Sequence, residues 1–114
     1  MAQFLLLIRG GDDAWGSFTP EQMEIEMGRY FTWTDELRSA GRLLASEQLH
    51  PGGQVIRERG GDLLVDGPFA ETKENIGGFY LISAADATEA AEIAKGCPVL
   101  RHGGCVDLRA ILHQ

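Results

Sequence analysis

Apolar and polar residues alternate with two different periods along the chain, and the first element that they predict is a strand. Residues 4–8 form a continuous apolar run, a pattern typical of a strand that is buried on both faces. Residues 10–13, two glycines and two aspartates, predict a loop after it. Further strands are predicted over residues 42–49, 54–59, 62–65, 78–83 and 104–109. Because Gly60 and Gly61 accept the positive φ of a tight turn, the second and third of these form a predicted hairpin.

Two helices are predicted between these strands. The first begins at Thr19, an N-cap residue that forms a capping box with Gln22, and is expected to end at Gly41. Its apolar residues recur every three to four positions, which favours a single buried stripe. These residues are Met23, Met27, Tyr30, Phe31 and Leu37. The second helix begins at Asp86 and ends before Gly96.

The order of these elements predicts the fold class. With the hairpin set aside, strands and helices follow the order βαββαβ, which is the ferredoxin-like pattern of α+β proteins. Such a sheet carries both helices on one face, so its other face needs a cover. We expect a second copy of the same sheet to provide it, which predicts a homodimer. A length of 114 residues fits one domain over residues 1–114.

Composition narrows the classes of partner. The chain carries 17 acidic and 10 basic side chains, a net charge of -7, which disfavours nucleic acids and anionic membranes as partners and permits a neutral or cationic small molecule. The first apolar run is too short to span a bilayer and lacks the basic flank of a signal peptide. We therefore expect a cytoplasmic protein.

The cysteine and histidine spacings predict neither a disulfide framework nor a metal site, and no cofactor motif is present. Cys97 is expected near the end of the second helix, where the helix dipole disfavours a thiolate. Cys105 is expected inside a strand as a small buried residue. Both cysteines are interpreted as structural.

Residues 66–74 read Asp-Gly-Pro-Phe-Ala-Glu-Thr-Lys-Glu, a run that resembles the motif of the DGPF branch of the YCII-related family. Residues 76–80, 97–98 and 106–109 also resemble this family. The long helix adds matches at Tyr30, Trp33, Glu36, Leu37 and Gly41. The resemblance covers nearly the whole chain.

The resemblance implies a ferredoxin-like fold that dimerises into an α/β barrel. Some similar proteins are dehydrochlorinases that act on chlorinated aromatic breakdown products, and DGPF proteins are often encoded beside extracytoplasmic-function sigma factors. Relatives outside this branch carry a His on the long helix that is proposed to form an acid–base pair with an Asp. Alignment on Gly41 places Tyr30 at that His position, and the helix contains no His. The acid–base pair of those relatives is therefore not carried over.

The DGPF segment offers a candidate rim for a pocket. Asp66 is a candidate general base, since burial raises the pKa of a carboxyl group towards neutrality. The alternative is that Asp66 accepts hydrogen bonds from the amides of its own turn. Phe69 is a candidate ligand platform or a core residue, and Glu71 and Glu74 are candidate ligand-binding residues.

The long helix and the histidines supply the other candidates. Tyr30 is a candidate hydrogen-bond donor and Trp33 a candidate wall for a ring, although aromatic residues at this spacing also suit a core or a dimer interface. His102 is the best-placed candidate for proton transfer, because the two glycines after it let backbone approach a ligand. His50, at the end of a strand, is a second ligand-binding candidate.

Two functions remain open at this level. One is a dimeric small-molecule-binding or regulatory accessory protein, which predicts an exposed apolar patch. The other is an acid–base enzyme with a pocket between helix and sheet, which predicts convergent titratable groups with Asp66 or His102 as the base.

Overall fold

The computed structural model describes residues 1–50, 52–66 and 76–112. In chain order the elements are β1 (Ala2–Arg9), α1 (Asp12–Ser17), α2 (Pro20–Ser39), β2 (Leu43–Gln48), β3 (Val55–Arg59), β4 (Asp62–Asp66), β5 (Ile76–Ala84), α3 (Ala87–Ala94), the 3₁₀ helix η1 (Pro98–His102) and β6 (Cys105–Ala110). Each predicted strand and both predicted helices are present. No helix in the described ranges is long and apolar enough to cross a membrane.

The main sheet contains four strands in the order β2-β5-β1-β6, and all neighbouring strands are antiparallel. When the hairpin of β3 and β4 is set aside, this is the strand order of a ferredoxin-like βαββαβ fold. The structure therefore confirms the α+β prediction and the inserted hairpin. Strand β1 lies in the middle, where Leu6 is opposite Tyr80 on one side and Leu108 on the other.

The two faces of this sheet differ in burial. Alternate residues of β1, namely Phe4, Leu6 and Ile8, point towards the helices and are at most 7% exposed. They join a core that also contains Trp33, Leu37, Ile82, Ala84, Ala90, Ala94, Cys97 and Val99. The other face of the sheet carries Leu5 and Leu7, which are only half-buried in the single chain. The predicted burial of β1 on both faces is therefore found only on the face that meets the helices.

Helix α2 begins as predicted but carries its apolar residues on two faces. Trp33 and Leu37 are buried, whereas Met23, Met27 and Phe31 are 37%, 43% and 64% exposed. The prediction of a single buried stripe is wrong for these three. A step of four residues advances about 40° beyond a full turn, so the series 23, 27 and 31 turns progressively away from the sheet.

Two short helices were not predicted. The loop expected over residues 10–13 contains the turn at Gly10 and Gly11, whose φ angles are 77° and 80°, but α1 already begins at Asp12. Pro98, just beyond the predicted second helix, opens η1, whose C-cap residue Gly103 has a φ of 78°.

The predicted hairpin is confirmed, with Gly60 and Gly61 at positive φ angles of 60° and 87°. Its strands form a separate two-stranded sheet whose described side chains are exposed. The radius of gyration is 15.9 Å, larger than the roughly 13 Å typical of a compact domain of this length.

Candidate functional site

The inner face of α2 positions one side of the site. The helix is fixed at its start by the predicted capping box, in which the Gln22 amide donates to Thr19 Oγ1 at 3.1 Å and the Thr19 amide donates to Gln22 Oε1 at 2.9 Å. Glu26 and Tyr30 lie four residues apart on the same face. Both therefore point towards the region where η1 crosses the helix.

Close backbone contact holds η1 beside the end of β1. A Cβ atom at Gly104 would lie 2.4 Å from Val99 Cγ2 and 2.6 Å from the Arg9 carbonyl oxygen. Gly10 likewise approaches Gly104 Cα. The glycines after His102 were interpreted as room for a ligand. In the structure, Gly104 lets the chain approach its own β1–α1 turn.

His102 and Glu26 form the centre of the site. His102 Nε2 lies 2.9 Å from Glu26 Oε2, and the two side chains are 6% and 12% exposed. The atoms are close but not aligned as a hydrogen bond, so neither has a hydrogen-bond partner among the residues that the structure describes. The other oxygen, Oε1, accepts from Arg29 Nε at 3.2 Å. A buried imidazole beside a carboxylate is a chemical arrangement suited to holding or moving a proton.

Aromatic rings cover this pair. Phe18 and Trp15 contact His102 edge-on, with ring centroids 5.1 and 6.1 Å away. Trp15 also lies 5.4 Å from Phe18 and 6.3 Å from Tyr30. Trp15 belongs to α1 and Phe18 is its C-cap residue. The short helix therefore closes the site from the solvent side.

Tyr30 carries its hydroxyl into the core next to this cluster. Burial raises the pKa of Tyr30 far above its usual value, and the nearby Cys97, Tyr80 and Glu26 raise it further. The hydroxyl donates a hydrogen bond to Cys97, whose own pKa burial raises to about 11. Both groups are neutral near pH 7. Tyr30 is thus a hydrogen-bond donor and Cys97 is not a nucleophilic thiolate.

Trp33 packs in the core beneath the site. Its ring centroid lies 4.6 Å from that of Tyr80, and its exposed fraction is 8%. The Tyr80 hydroxyl lies 2.7 Å from Thr34 Oγ1, within hydrogen-bond distance. Trp33 supports the helix that carries Glu26 and Tyr30.

The structure brings together only part of the predicted site. Tyr30 and His102 are joined in one cluster. His50 is exposed beyond β2, and this edge of the sheet is about 14 Å from β6 by strand spacing. Asp66 ends β4, but its side chain lies outside the described residues, as do Phe69, Glu71 and Glu74. No group of three His, Cys, Asp or Glu that could hold a metal is found in the described part of the chain.

Sequence reasoning missed Glu26, Trp15 and Phe18. A spacing of four residues between Glu26 and Tyr30 is a signal that was available, because it places both on one helical face. Trp15 and Phe18 gave a weaker signal, because α1 has only six residues and one of them, Gly16, disfavours a helix.

A polar cluster occupies one end of the open sheet face. Asp107 lies 3.4 Å from Arg9 Nη1 and accepts hydrogen bonds from Arg109 at 2.7 and 3.1 Å. The hydrogen bond from Arg109, with the charges of both guanidinium groups, lowers the pKa of Asp107. Cys105 lies on the same face beside Arg9 and is exposed. The prediction that Cys105 is buried is wrong, because β6 is an edge strand and this side of it is uncovered.

Comparison with known proteins extends these observations. The chain is 44% identical over 59 residues to an uncharacterized protein of Rhizobium meliloti strain 1021. The match covers 49% of this chain and 48% of that protein, so it spans about half the length of this relative.

A solved structure shares the fold. It is the 5-chloro-2-hydroxyhydroquinone dehydrochlorinase TftG of Burkholderia phenoliruptrix AC1100, in complex with 2,5-dihydroxybenzoquinone. The TM-score is 0.51 at 13% sequence identity, and the superposition covers 98% of this chain and 95% of that one. The sequence model of the YCII-related domain matches residues 2–113. The chain therefore belongs to the YCII-related family.

Proposed function

We propose that this protein binds a small molecule at the His102–Glu26 pair and exchanges a proton with it. The observation that carries the proposal is the pair itself: two titratable side chains, 2.9 Å apart and almost fully buried, whose facing atoms lack hydrogen bonds among the described residues. Buried polar atoms with incomplete hydrogen bonding are uncommon in folded proteins, so the misaligned contact of this pair favours a functional role.

Each neighbouring residue has a part in this scheme. The carboxylate of Glu26 faces the imidazole of His102 across 2.9 Å and helps to hold it in place. Tyr30 stays neutral with its hydroxyl donating to Cys97, and its ring lines the site beside Trp15. Trp15 and Phe18 form an apolar wall suited to a flat ring. Because these rings lie directly over His102, a ligand enters only when α1 moves aside.

The first ligand class to test is a small hydroxylated aromatic or quinone ring. It fits a site with ring walls and a proton-exchanging pair, and the dehydrochlorinase that shares the fold is complexed with such a molecule. Acid–base chemistry on such a ring is the reaction class that these residues support.

The test is calorimetric titration with 2,5-dihydroxybenzoquinone in buffers of different ionisation enthalpy, which reports the protons exchanged on binding. We expect binding with a non-integral proton exchange, weakened at least tenfold (about 1.4 kcal/mol) by Glu26→Gln or His102→Gln. Glu24→Gln, on the same helix but exposed, is the matched control and should bind as the wild type. Equal affinity in all four proteins, or no binding by the wild type to a panel of hydroxylated rings, contradicts the proposal.

We also propose that the protein is a homodimer. The apolar centre of the open sheet face, formed by Leu5, Leu7, Phe79 and Leu81, is only half-buried in one chain. An antiparallel sheet with one bare apolar face is stabilised when a second layer covers it.

A cytoplasmic location suits the unpaired cysteines Cys97 and Cys105.

A regulatory accessory role is the second candidate, and the exposed side of α2 favours it. Met23, Met27 and Phe31 line a shallow groove of about 560 Å³ together with Pro20, Glu24 and Gly28. Flexible methionine side chains suit a surface that binds another protein. An extracytoplasmic-function sigma factor is the partner class to test: Phe31→Glu should weaken the complex at least tenfold, whereas the exposed Ile25→Glu should not.

A further inference from the structure

We propose that Arg29 makes the site at His102 and Glu26 select ring ligands that carry an anionic oxygen group, which the terminal nitrogens of its guanidinium bind. The proposal rests on the small-molecule function proposed above and adds a specificity-determining residue to it. Its basis is the position of Arg29 between the buried pair and solvent, together with the hydrogen-bond donors that this residue leaves unused.

Glu26 fixes the place of the guanidinium group. Arg29 Nε donates to Glu26 Oε1 at 3.2 Å, and the other oxygen of this carboxylate lies 2.9 Å from His102 Nε2. Arg29 is also the residue before Tyr30, whose ring lies beside that of Trp15. The guanidinium and the imidazole thus approach the two oxygens of one carboxylate, close enough for a single substituted ring to contact both.

Arg29 has hydrogen-bond donors that its neighbours do not use. A guanidinium group carries its N–H donors in a planar fork, and two parallel donors of this fork match the two oxygens of a carboxylate. Within the described ranges of the chain, only Nε of Arg29 forms a hydrogen bond. The side chain is 44% exposed, which leaves Nη1 and Nη2 accessible to a ligand at the rim of the site.

The charges around the pair favour an anion at this position. Glu26 is 12% exposed, and its two oxygens face Arg29 and His102, so the guanidinium is the charged group that a ligand meets at the rim. No other Lys or Arg in the described part of the chain forms an ion pair with Glu26. The net charge of -7 acts at longer range, where salt screens exposed charges beyond about 8 Å, so the direct contact with Arg29 decides the preference.

A second ion pair on α2 shows what is particular to Arg29. Asp35 and Arg38 have the same spacing along the helix and lie 2.7 Å apart, but their side chains are 72% and 63% exposed. Surface pairs of this kind contribute little to stability, and both partners face water. Glu26, by contrast, is largely buried beside His102, so its ion pair with Arg29 forms part of the site.

Calorimetric titration with two rings of the same shape tests this selection. The probes are 2,5-dihydroxybenzoate and 2,5-dihydroxybenzamide, which differ in the charge of one substituent. We expect the wild type to bind the benzoate at least tenfold more tightly than the amide. Arg29→Gln should weaken binding of the benzoate at least tenfold and of the amide less than about threefold, because only the charged group needs the guanidinium.

Two further variants make the test specific. Arg29→Lys keeps the positive charge without the planar fork and should recover part of the preference for the benzoate. Arg38→Gln is the matched control, since it removes an arginine with the same ion-pair spacing about 14 Å farther along the helix, and it should keep the wild-type preference. Circular dichroism checks that each variant is folded.

The outcomes separate this selection from the proposed function. Equal weakening of both probes by Arg29→Gln overturns the selection, because Arg29 then acts only by holding Glu26 in place, while the proposed function stands. A wild type that binds the two probes equally also overturns the selection alone. If the wild type binds neither probe and does not bind 2,5-dihydroxybenzoquinone, the proposed function fails and the selection fails with it.

Discussion

The buried contact between Tyr30 and Cys97 makes the free energy of unfolding depend on pH in the alkaline range. Burial raises the pKa of Cys97 to about 11, whereas a free cysteine ionises near pH 8.5. Between these values the unfolded chain has lost the thiol proton and the folded chain has kept it, so the folded chain binds more protons. Stability is complete below the unfolded pKa and falls as pH rises through this window.

We expect the Cys97 thiol to contribute a fall of roughly 3 kcal/mol in the free energy of unfolding from pH 8.5 to 11, measured by urea titration at fixed protein concentration. The variant Cys97→Ala should lower stability at neutral pH but flatten the slope between pH 9 and 10. Cys105→Ala removes an exposed thiol and should keep the wild-type slope. An unchanged slope in Cys97→Ala contradicts the assignment of the titrating group.

Gly104 is a second position where one residue controls local structure. A methyl group there would collide with Val99 and with the Arg9 carbonyl oxygen, which is backbone and cannot rotate away. Gly104→Ala should therefore lower the free energy of unfolding by about 2 kcal/mol or more. Gly28→Ala is the contrasting change, since nothing lies within 4 Å of its added methyl and alanine favours a helix. It should raise stability by about 0.5–1 kcal/mol, and equal effects at both positions contradict the close approach.

At the scale of elements, the capping box at the start of α2 is the feature most open to measurement. Thr19 accepts from the amide of Gln22, one of the amides that the helix cannot satisfy internally. Thr19→Ala should destabilise the protein by about 1 kcal/mol in thermal or urea unfolding. Thr19→Ser keeps the hydroxyl and should stay within a few tenths of a kcal/mol of wild type. An equal loss in both variants means that the methyl group matters and the cap does not.

Elements with local signals were the ones that the sequence could predict. Helix α2 has its cap and the left-handed Gly41, whose φ is 73°, and the hairpin has its glycine pair. Helix α1 lacks such signals: Gly11 makes no side-chain cap, and six residues are too few for a periodic pattern. The exposure of Met23, Met27 and Phe31 could not be predicted either. Periodicity shows which residues share a face of a helix, but not which face packs against the sheet.

The candidate site was predictable only in part, for a similar reason. Tyr30 and His102 were each identified from residue type and local setting. Glu26 joins them only because η1 packs against α2, which brings His102 next to a residue 76 positions earlier in the chain. This packing depends on Gly104, where η1 lies close to the end of β1, and a single sequence carries no signal for such long-range packing.

At the scale of the whole molecule, the open sheet face decides the assembly. Leu81 lies opposite Leu5 on β1 and Ala45 on β2, so it sits in the middle of this face. Its neighbour Ile82, which points to the helix side, is fully buried. A change at Leu81 therefore affects the outer face while leaving the core of the single chain in place.

The variant Leu81→Glu tests the homodimer on this basis. Burying a carboxylate at the centre of two packed sheets is costly unless it is paired, so the dimer Kd should rise at least a hundredfold in sedimentation velocity. Circular dichroism should still show a folded monomer, because the same residue is half-solvated in the single chain. Ile25→Glu, also an apolar-to-acidic change but on the outer side of α2, should remain dimeric. If Leu81→Glu dimerises as the wild type does, the two copies do not meet through this face, and the interface must be formed by other surfaces of the molecule.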